Sequence, residues 1–567
     1  MVTSNRLIVG ALLAFVAHSA PAFSQTTRSR ADSVDTRKGA VRMQTWFERV
    51  RHMNLPVRFS GGVPPCDAYI GRFCQWNDDD PRAPKEPKPI REARDMLLRT
   101  LDSAAVHSPG DDWIAGQRIR YLVEAGRDSD AVRVARSCAA TRWWCDALKG
   151  LALHELGEYG ASDSAFRDAL QAMPPAERCR WTDVSMLLDD AQRKRFGKVG
   201  CGRNDALAQR LWWLADPFLA VPGNDRETEH YSRHVMIRML DGSRAGYEVQ
   251  WGDDLEQLVV RYGWSRYWSR APGTAFDPYS GPVSGHEATP NYHFFPASVK
   301  VSSPREIGDA TWDFNDRRSV ERYSPGVATT FGVLQAQLVF FRRGDSVQVV
   351  AAYDLTGDTA LAGPAVHTAL VLQRDERQRP LISQSIERRG WYSVTMDSVP
   401  RLLSLETWNT DKKRGGRVRR GVWLPPLQPG AIAVSDILLF DAASGEGSDL
   451  RSILPLALGS LAIEGTRKLG LYWETYGLAR PDSALPVSLT LSRVSTGLRK
   501  LAESIGLGKT STPMSIAWRE TPALGGVATR SVVLDLSLIP RGRYRLKLEL
   551  TPRAGPPISS TRIIEIL

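Results

Sequence analysis

The apolar period of this chain changes once along its length, and that change limits what it can fold into. From Ile90 to about Phe196 apolar residues recur at three and four places, the spacing of a helix with one buried face. From about Phe331 they alternate every second residue instead, or run together between Gly, Asp and Pro. Side chains alternate across a strand but turn by about 100° per residue around a helix, so one segment cannot serve both patterns. The expected fold class is therefore multidomain, α then β, with a helical repeat-like array followed by two β-sandwiches.

At 567 residues the chain exceeds what one core can bury and should divide into several domains. "GVLQAQLVFF", "SVQVVAAYD", "HTALVLQR", "WYSVTMD" and "AIAVSDILLF" form one strand set, over residues 331–445. "LYWETYGL", "VSLTLSR", "MSIAWRE", "TRSVVLDLSLI", "YRLKLELTP" and "STRIIEIL" form another, over 446–567. Each set has the size of one immunoglobulin- or fibronectin-like sandwich, with a linker expected at 440–449. Residues 90–200 read as the helical domain and 201–330 as a further helical segment and connection. Residues 25–89 are basic and end in "DDDPRAPKEPKPIRE", which reads as a loose arm running into a linker.

Arg6 precedes an apolar run from Leu7 to Val16, and small residues follow at Ala20, Ala22 and Ser24. Residues 1–24 thus have the form of a secretory signal peptide, with cleavage expected after Ala22 or Ser24. No later segment approaches the ~20 apolar residues of a membrane helix, so no transmembrane segment is expected in the mature chain. The expected location is the periplasm or the cell exterior. Cys66, Cys74, Cys138, Cys145, Cys179 and Cys201 fit that compartment as disulfide candidates, sequential pairing being the simplest arrangement. None is spaced Cys-x2-Cys, which argues against zinc.

The formal charge is +11, but Lys and Arg are interspersed with Asp and Glu, so no nucleic-acid partner is expected. One basic run stands out: Lys412, Lys413, Arg414, Arg417, Arg419 and Arg420 around Gly415 and Gly416. It reads as a hairpin loop and supplies candidate contacts to an anionic surface. "GLGKTST", residues 506–512, imitates a phosphate-binding loop, but Glu503 stands where its first glycine is required.

In "DRETEHYSRH", His230 and His234 lie one helical turn apart. Placed on a helix, they share the polar face with Glu227 and Arg238, opposite Tyr231, Val235 and Met239. His-x3-His can hold zinc, and His286 and His293 could add ligands from a loop, so Glu227, His230, His234, His286 and His293 are the metal candidates. However, the neighbouring acids do not occupy the positions that zinc hydrolases use. Asn224 reads as a helix cap completed by Glu227, and Glu229 pairs with Arg233 on the surface.

Two resemblances follow from these residues. In "LKGLALHELGEYGASDSAFRDALQAMPP", Gly150, Gly157, Tyr159, Phe166, Ala169 and Pro174 fall at offsets that resemble a tetratricopeptide repeat, with Ser162 where the helices cross. That implies a groove able to bind a peptide. "LWWLADPFLAVPGNDRETEHYSRHV", followed by "LVVRYGWSRYWSR", resembles the GWxTD-domain family of secreted bacterial proteins at Trp212, Trp213, Asp216, Pro217, Asn224, Asp225, Glu229, Tyr231, Arg233, Gly263 and Trp264. The family's Thr-Asp is absent, since Ser265, Arg266 and Tyr267 follow. The resemblance implies export, a multidomain build and no assigned catalytic residues.

The expected function is an exported, non-enzymatic scaffold of the bacterial cell envelope, without cofactor, that binds a protein partner or an envelope surface. A metal-dependent hydrolase on the His230/His234 helix and a glycan-binding envelope protein are the alternatives.

Overall fold

The computed structural model describes residues 23–58, 66–75, 85–197, 205–246, 249–286, 291–297, 304–308, 311–361, 363–445, 447–463, 468–478, 484–494, 513–520, 526–552 and 555–567, with side chains from Ser33 onward. The segment 1–22, Cys201 and "GLGKTST" lie outside the described residues.

Helices α1 (Phe23–Met53), α2 (Lys88–His107), α3 (Asp112–Glu124), α4 (Asp128–Arg136), α5 (Arg142–Leu156) and α6 (Tyr159–Ala172) stack in sequence. After them come α7 (Pro175–Thr182), α8 (Asp190–Phe196), α9 (Asp205–Ala215), α10 (Asp225–Asp241) and α11 (Asp253–Tyr262). Local chemistry sets their ends. Asp111 caps α3 by accepting from the Trp113 and Ile114 amides at 2.9 and 3.0 Å. Gly157, at φ 86°, closes α5 in the left-handed region that glycine adopts without strain. α5 and α6 cross closely, because Ser162 Oγ donates to the Gly150 carbonyl at 2.8 Å and a Cβ at Gly150 would lie 2.8 Å from the Phe166 ring.

The arm expected at 25–89 is replaced in part by α1, which runs to Met53 and buries Ala40, Gln44, Phe47, Glu48 and Arg51. Gln44, Glu48 and Arg51 share its inner face with Ala40 and Phe47, so it carries little apolar period. Gln44 Nε2 donates to Tyr121 Oη at 2.9 Å, Tyr121 Oη donates to Glu48 Oε1 at 2.8 Å, and Arg51 and Arg120 bridge Glu48 and Glu124.

The face of α3, α5 and α6 that the helical pattern leaves for a peptide groove is covered by another helix. α10 lies across α3, α5 and α6, with Gln117 Nε2 donating to the Met239 carbonyl at 2.8 Å and Tyr231 packed 5.5 Å from Phe166. A Cβ at Gly116 would come within 3.2 Å of the Met239 and Trp144 side chains, so the Met239 side chain packs directly against the α3 backbone.

Two short hairpins precede the sheets, β1 (Ala68–Ile70) with β2 (Phe73–Gln75), and β3 (Tyr267–Arg270) with β4 (Val283–His286). The next eight strands are β5 (Thr330–Val333), β6 (Ala336–Arg343), β7 (Ser346–Asp354), β8 (Val366–Gln373), β9 (Leu381–Ser385), β10 (Arg389–Asp397), β11 (Arg401–Asn409) and β12 (Arg414–Val422). They form sheets β10-β7-β6 and β5-β12-β11-β8-β9. Val349, Leu370, Leu403 and Leu405 belong to the core the two sheets share.

The remaining strands are β13 (Ala433–Val434), β14 (Leu438–Asp441), β15 (Ala462–Ile463), β16 (Lys468–Tyr476), β17 (Leu485–Arg493), β18 (Met514–Glu520), β19 (Val527–Asp535), β20 (Gly542–Leu550) and β21 (Ile558–Ile566). They form β13-β16-β14, with β19 also on β16, and β15-β21-β20-β17-β18, around Leu471, Leu489 and Leu546. In both assemblies a short strand pairs in parallel with the last one, β5 with β12 and β15 with β21. β13 and β14, which the sequence pattern groups with the first strand set, pair with β16 of the second. Val339 and Phe341 of β6 join Leu438, Phe440 and Tyr472 in a core between the two assemblies.

Candidate functional site

Of the metal candidates, only His230 and His234 come together. His230 and His234 were expected on a polar surface, yet only 0% and 5% of their area is exposed, because α10 is covered on nearly every side. The two rings meet edge to face at 4.7 Å; His234 stacks on Trp181 at 5.6 Å and His230 lies 5.0 Å from Trp212. His230 Nε2 meets the Trp181 carbonyl at 2.9 Å. Burial, with Arg180 nearby, lowers His234 to about 3, and burial together with His234 and Arg226 holds His230 well below its usual range.

The other candidates have separate partners. His286 Nε2 meets Ser269 Oγ at 2.6 Å, while His293 Nδ1 meets Glu321 Oε1 at 2.8 Å. Glu321 also receives Arg226 at 2.7 Å, so His293 belongs to a buried ion network. Glu227 accepts from Tyr231 Oη at 3.2 Å rather than completing a capping box; Asn224 alone caps α10, accepting from the Glu227 amide at 3.1 Å. Among the described residues no three His, Cys, Asp or Glu side chains are grouped to hold a metal ion.

The basic run is corrected as well. Residues 414–422 are strand β12, not a loop, and Arg417 and Arg419 are buried. Arg419 pairs with Glu406 at 3.2 Å, both side chains being 0% exposed. Arg417 donates to the Asp216 and Pro217 carbonyls and lies 5.0 Å over the Trp312 ring. Glu406 also accepts from the Leu219 and Ala220 amides at 3.1 and 3.0 Å, which ties the loop after α9 to the outer face of β11 and β12. Lys412 and Lys413 stay outside, donating to the Thr359 and Gly326 carbonyls. Arg414 and Arg420 are half-buried, beside Asp358 and over Phe340.

Cys66 is joined to Cys74 and Cys138 to Cys145, as sequential pairing anticipates, and Cys179 is also disulfide-bonded. No described helix is long and apolar enough to cross a membrane.

What the fold does bring together is a cleft of about 280 Å³ among α5, α6, α10, the turn after α11 and residues 323–329. Four of its lining residues carry the family resemblance: Glu229 and Arg233 from α10, then Gly263 and Trp264. Arg266 and Tyr267, the positions at which the chain departs from that pattern's Thr-Asp, line it too. Gly263, at φ 88°, lets the chain leave α11 and turn Trp264 inward.

At the cleft floor His154 Nε2 lies 3.0 Å from Glu229 Oε2, and His154 Nδ1 meets Thr228 Oγ1 at 2.9 Å. Arg233 Nε donates to Glu229 Oε1 at 2.8 Å, and its other nitrogens donate to the Val260, Arg261 and Arg322 carbonyls. Burial alone would raise the Glu229 carboxyl, but Arg233 and His154 outweigh it and hold the group far below the carboxylate range. At the rim Arg266 grips Glu155 with both terminal nitrogens, at 2.5 and 3.0 Å. Sequence reasoning missed His154, Glu155, Tyr159 and Ser324 here. The first three sit in the repeat-like stretch, where only helix packing was legible.

A larger, more open groove of about 760 Å³ runs beside β5, lined by strand and loop residues with charged side chains only at Asp354, Asp358 and Arg414. The smaller cleft holds the denser set of charged and aromatic groups.

No family model matches the chain, and no curated protein does. Among solved structures, the crystal structure of chicken CNTN1 FN1-FN3 domains is similar at 12% identity over 41% of this chain and 67% of that chain. Its TM-score is 0.15, a likeness too low to carry an argument.

Proposed function

We propose that the chain is an exported, non-catalytic scaffold of the bacterial cell envelope that binds a protein partner or an envelope surface, with the cleft at Glu229 as its binding site. One observation carries this reading: both ring nitrogens of His154 are engaged, one by Glu229 and one by Thr228. The Thr228 hydroxyl is itself 0% exposed, lies outside the cleft lining and donates to the Asn224 and Asp225 carbonyls at 3.2 Å, so the contact ties α5 to α10 and presents no nucleophile to a ligand. The acids are likewise held by Arg233 and Arg266, so the walls are arranged to recognise rather than to transfer protons.

The disulfides fit an oxidising compartment. The strand orders suit two immunoglobulin/fibronectin-like sandwiches, the first of a three- and a five-stranded sheet and the second of a four- and a five-stranded sheet. The close crossing at Gly150 suits the tetratricopeptide-like reading, and the grouping of Glu229, Arg233, Gly263 and Trp264 suits a relation to the GWxTD-domain family. The metal-dependent hydrolase alternative is less well supported, because Glu227, His230, His286 and His293 bond to four different partners and His234 stacks on Trp181.

Cell fractionation of the full chain, with and without residues 1–24, tests export; metal analysis of the purified protein beside a His230→Ala/His234→Ala control tests the rival. Envelope-associated full chain without stoichiometric zinc is the expected result. Zinc that is lost in the double variant, or retention of the full chain in the cytoplasm, contradicts the reading.

A further inference from the structure

We infer that the cleft beside Trp264 takes a neutral saccharide, an inference that rests on the non-catalytic binding reading above. The charges in its walls come in two opposed pairs, Glu155 with Arg266 and Glu229 with Arg233. An anionic ligand would meet Glu155 and Glu229, and a cationic one would meet Arg233 and Arg266. Either ion would give up its water without a net opposite charge in return. A lipid chain fits no better, since it would bury those ion pairs against hydrocarbon.

The remaining lining selects among uncharged ligands. Tyr159, Tyr262, Trp264, Tyr267 and Tyr323 line the cleft, and Tyr267 is the one of them that is only half-buried. Rings of this kind bury apolar C–H faces while keeping a polar edge available. The Arg266 guanidinium lies 4.8 Å over the Trp264 ring, so the wall presents a planar cation, an indole and the Glu155 carboxylate in one layer. Forked donors and acceptors side by side match adjacent hydroxyls on a sugar ring. Ser324 Oγ, on the same wall, is buried without a hydrogen-bond partner among the described residues, and a ligand hydroxyl would supply one.

The volume, about 280 Å³, is close to the lower end of ordinary small-molecule sites, ~300 Å³, which suits one ring of a chain rather than a long segment. Arg266 and Tyr267 also mark the chain's departure from the family pattern, so specificity at this site is its own.

The test uses the full chain and N-acetylglucosamine, cello-, malto- and manno-oligosaccharides, with choline and inorganic phosphate as charged comparators. Saturation-transfer NMR and calorimetry are expected to detect at least one oligosaccharide and neither comparator. Tyr267→Ala, at a half-buried position, should weaken binding about tenfold, the scale of one lost aromatic contact. Should that variant fold poorly, hydrogen exchange of the unaltered chain supplies a second reading, with sugar-dependent protection expected at 262–267 and 323–329. Binding by choline or phosphate alone, no binding by any sugar, or protection elsewhere overturns the inference. Turnover of a bound sugar would instead retain the ligand class and overturn the non-catalytic reading.

Discussion

His154 of α5 and Glu229 of α10 meet at 3.0 Å, joining the repeat-like helices to the helix that fills their groove. Arg233 approaches the other oxygen of the same carboxylate, so one acid holds two side chains from different directions. Glu229→Ala removes that centre and leaves the Arg233 guanidinium buried without its counter-charge. The expected loss is about 3–5 kcal/mol in urea unfolding, with a smaller loss for Glu229→Gln. Equal stability of Glu229→Ala and the parent would show that the pair does not hold the helices together.

The buried imidazoles set the acid limit of stability. His234 falls from its ordinary 6.5 to about 3, so below pH 6.5 the unfolded chain binds a proton that the native chain does not. The contribution of this group is therefore intact above pH 6.5 and declines as pH falls toward 3, by on the order of 5 kcal/mol. His234→Phe, which can keep the stacking on Trp181, should show a shallower decline in denaturant titrations across that window.

Arg419 and Glu406 anchor the helical region to the first sheets. Arg419→Met leaves Glu406 charged and unpaired against β11, an expected cost of about 3–5 kcal/mol. Adding Glu406→Gln should recover part of that loss, which a double-mutant cycle measures as coupling. Lys412→Ser is expected to change stability by no more than about 0.5 kcal/mol, because its side chain is exposed.

Gly150 tests the helix crossing. Alanine there gains helix propensity of about 1 kcal/mol, but its Cβ would sit 2.8 Å from the Phe166 ring. Overpacking of this kind costs about 1–3 kcal/mol, so a net loss is expected in thermal unfolding. Phe166→Leu in the same background should relieve the clash.

The change from helical to strand period was legible because each class repeats its own geometry over many residues. α1 was not, since Gln44, Glu48 and Arg51 face inward and find their partners on α3. β12 escaped for a related reason. Its Gly415 and Gly416 resemble a turn, yet a Cβ at either would strike Phe218 or the Gly332 carbonyl, so they are places of close approach in a sheet. Its arginines resemble a solvated loop but answer to Glu406 and to carbonyls at and just after the end of α9. The His230/His234 helix looked half-solvated because partners such as Trp181 and Trp212 come from other elements. At the cleft, the resemblance singled out Glu229, Arg233, Gly263 and Trp264, whereas His154, Glu155 and Ser324 enter only through the tertiary fold.

The central claim is that the cleft binds without chemistry, and a photoreactive benzoylphenylalanine at Tyr267 tests it most directly. Irradiation of cells carrying the full chain, followed by mass analysis, should yield one predominant adduct with an envelope component, chemically unaltered, and that adduct should disappear when Ser324→Trp fills the cleft. Absence of any adduct, or an adduct with a cleaved component, would contradict the account.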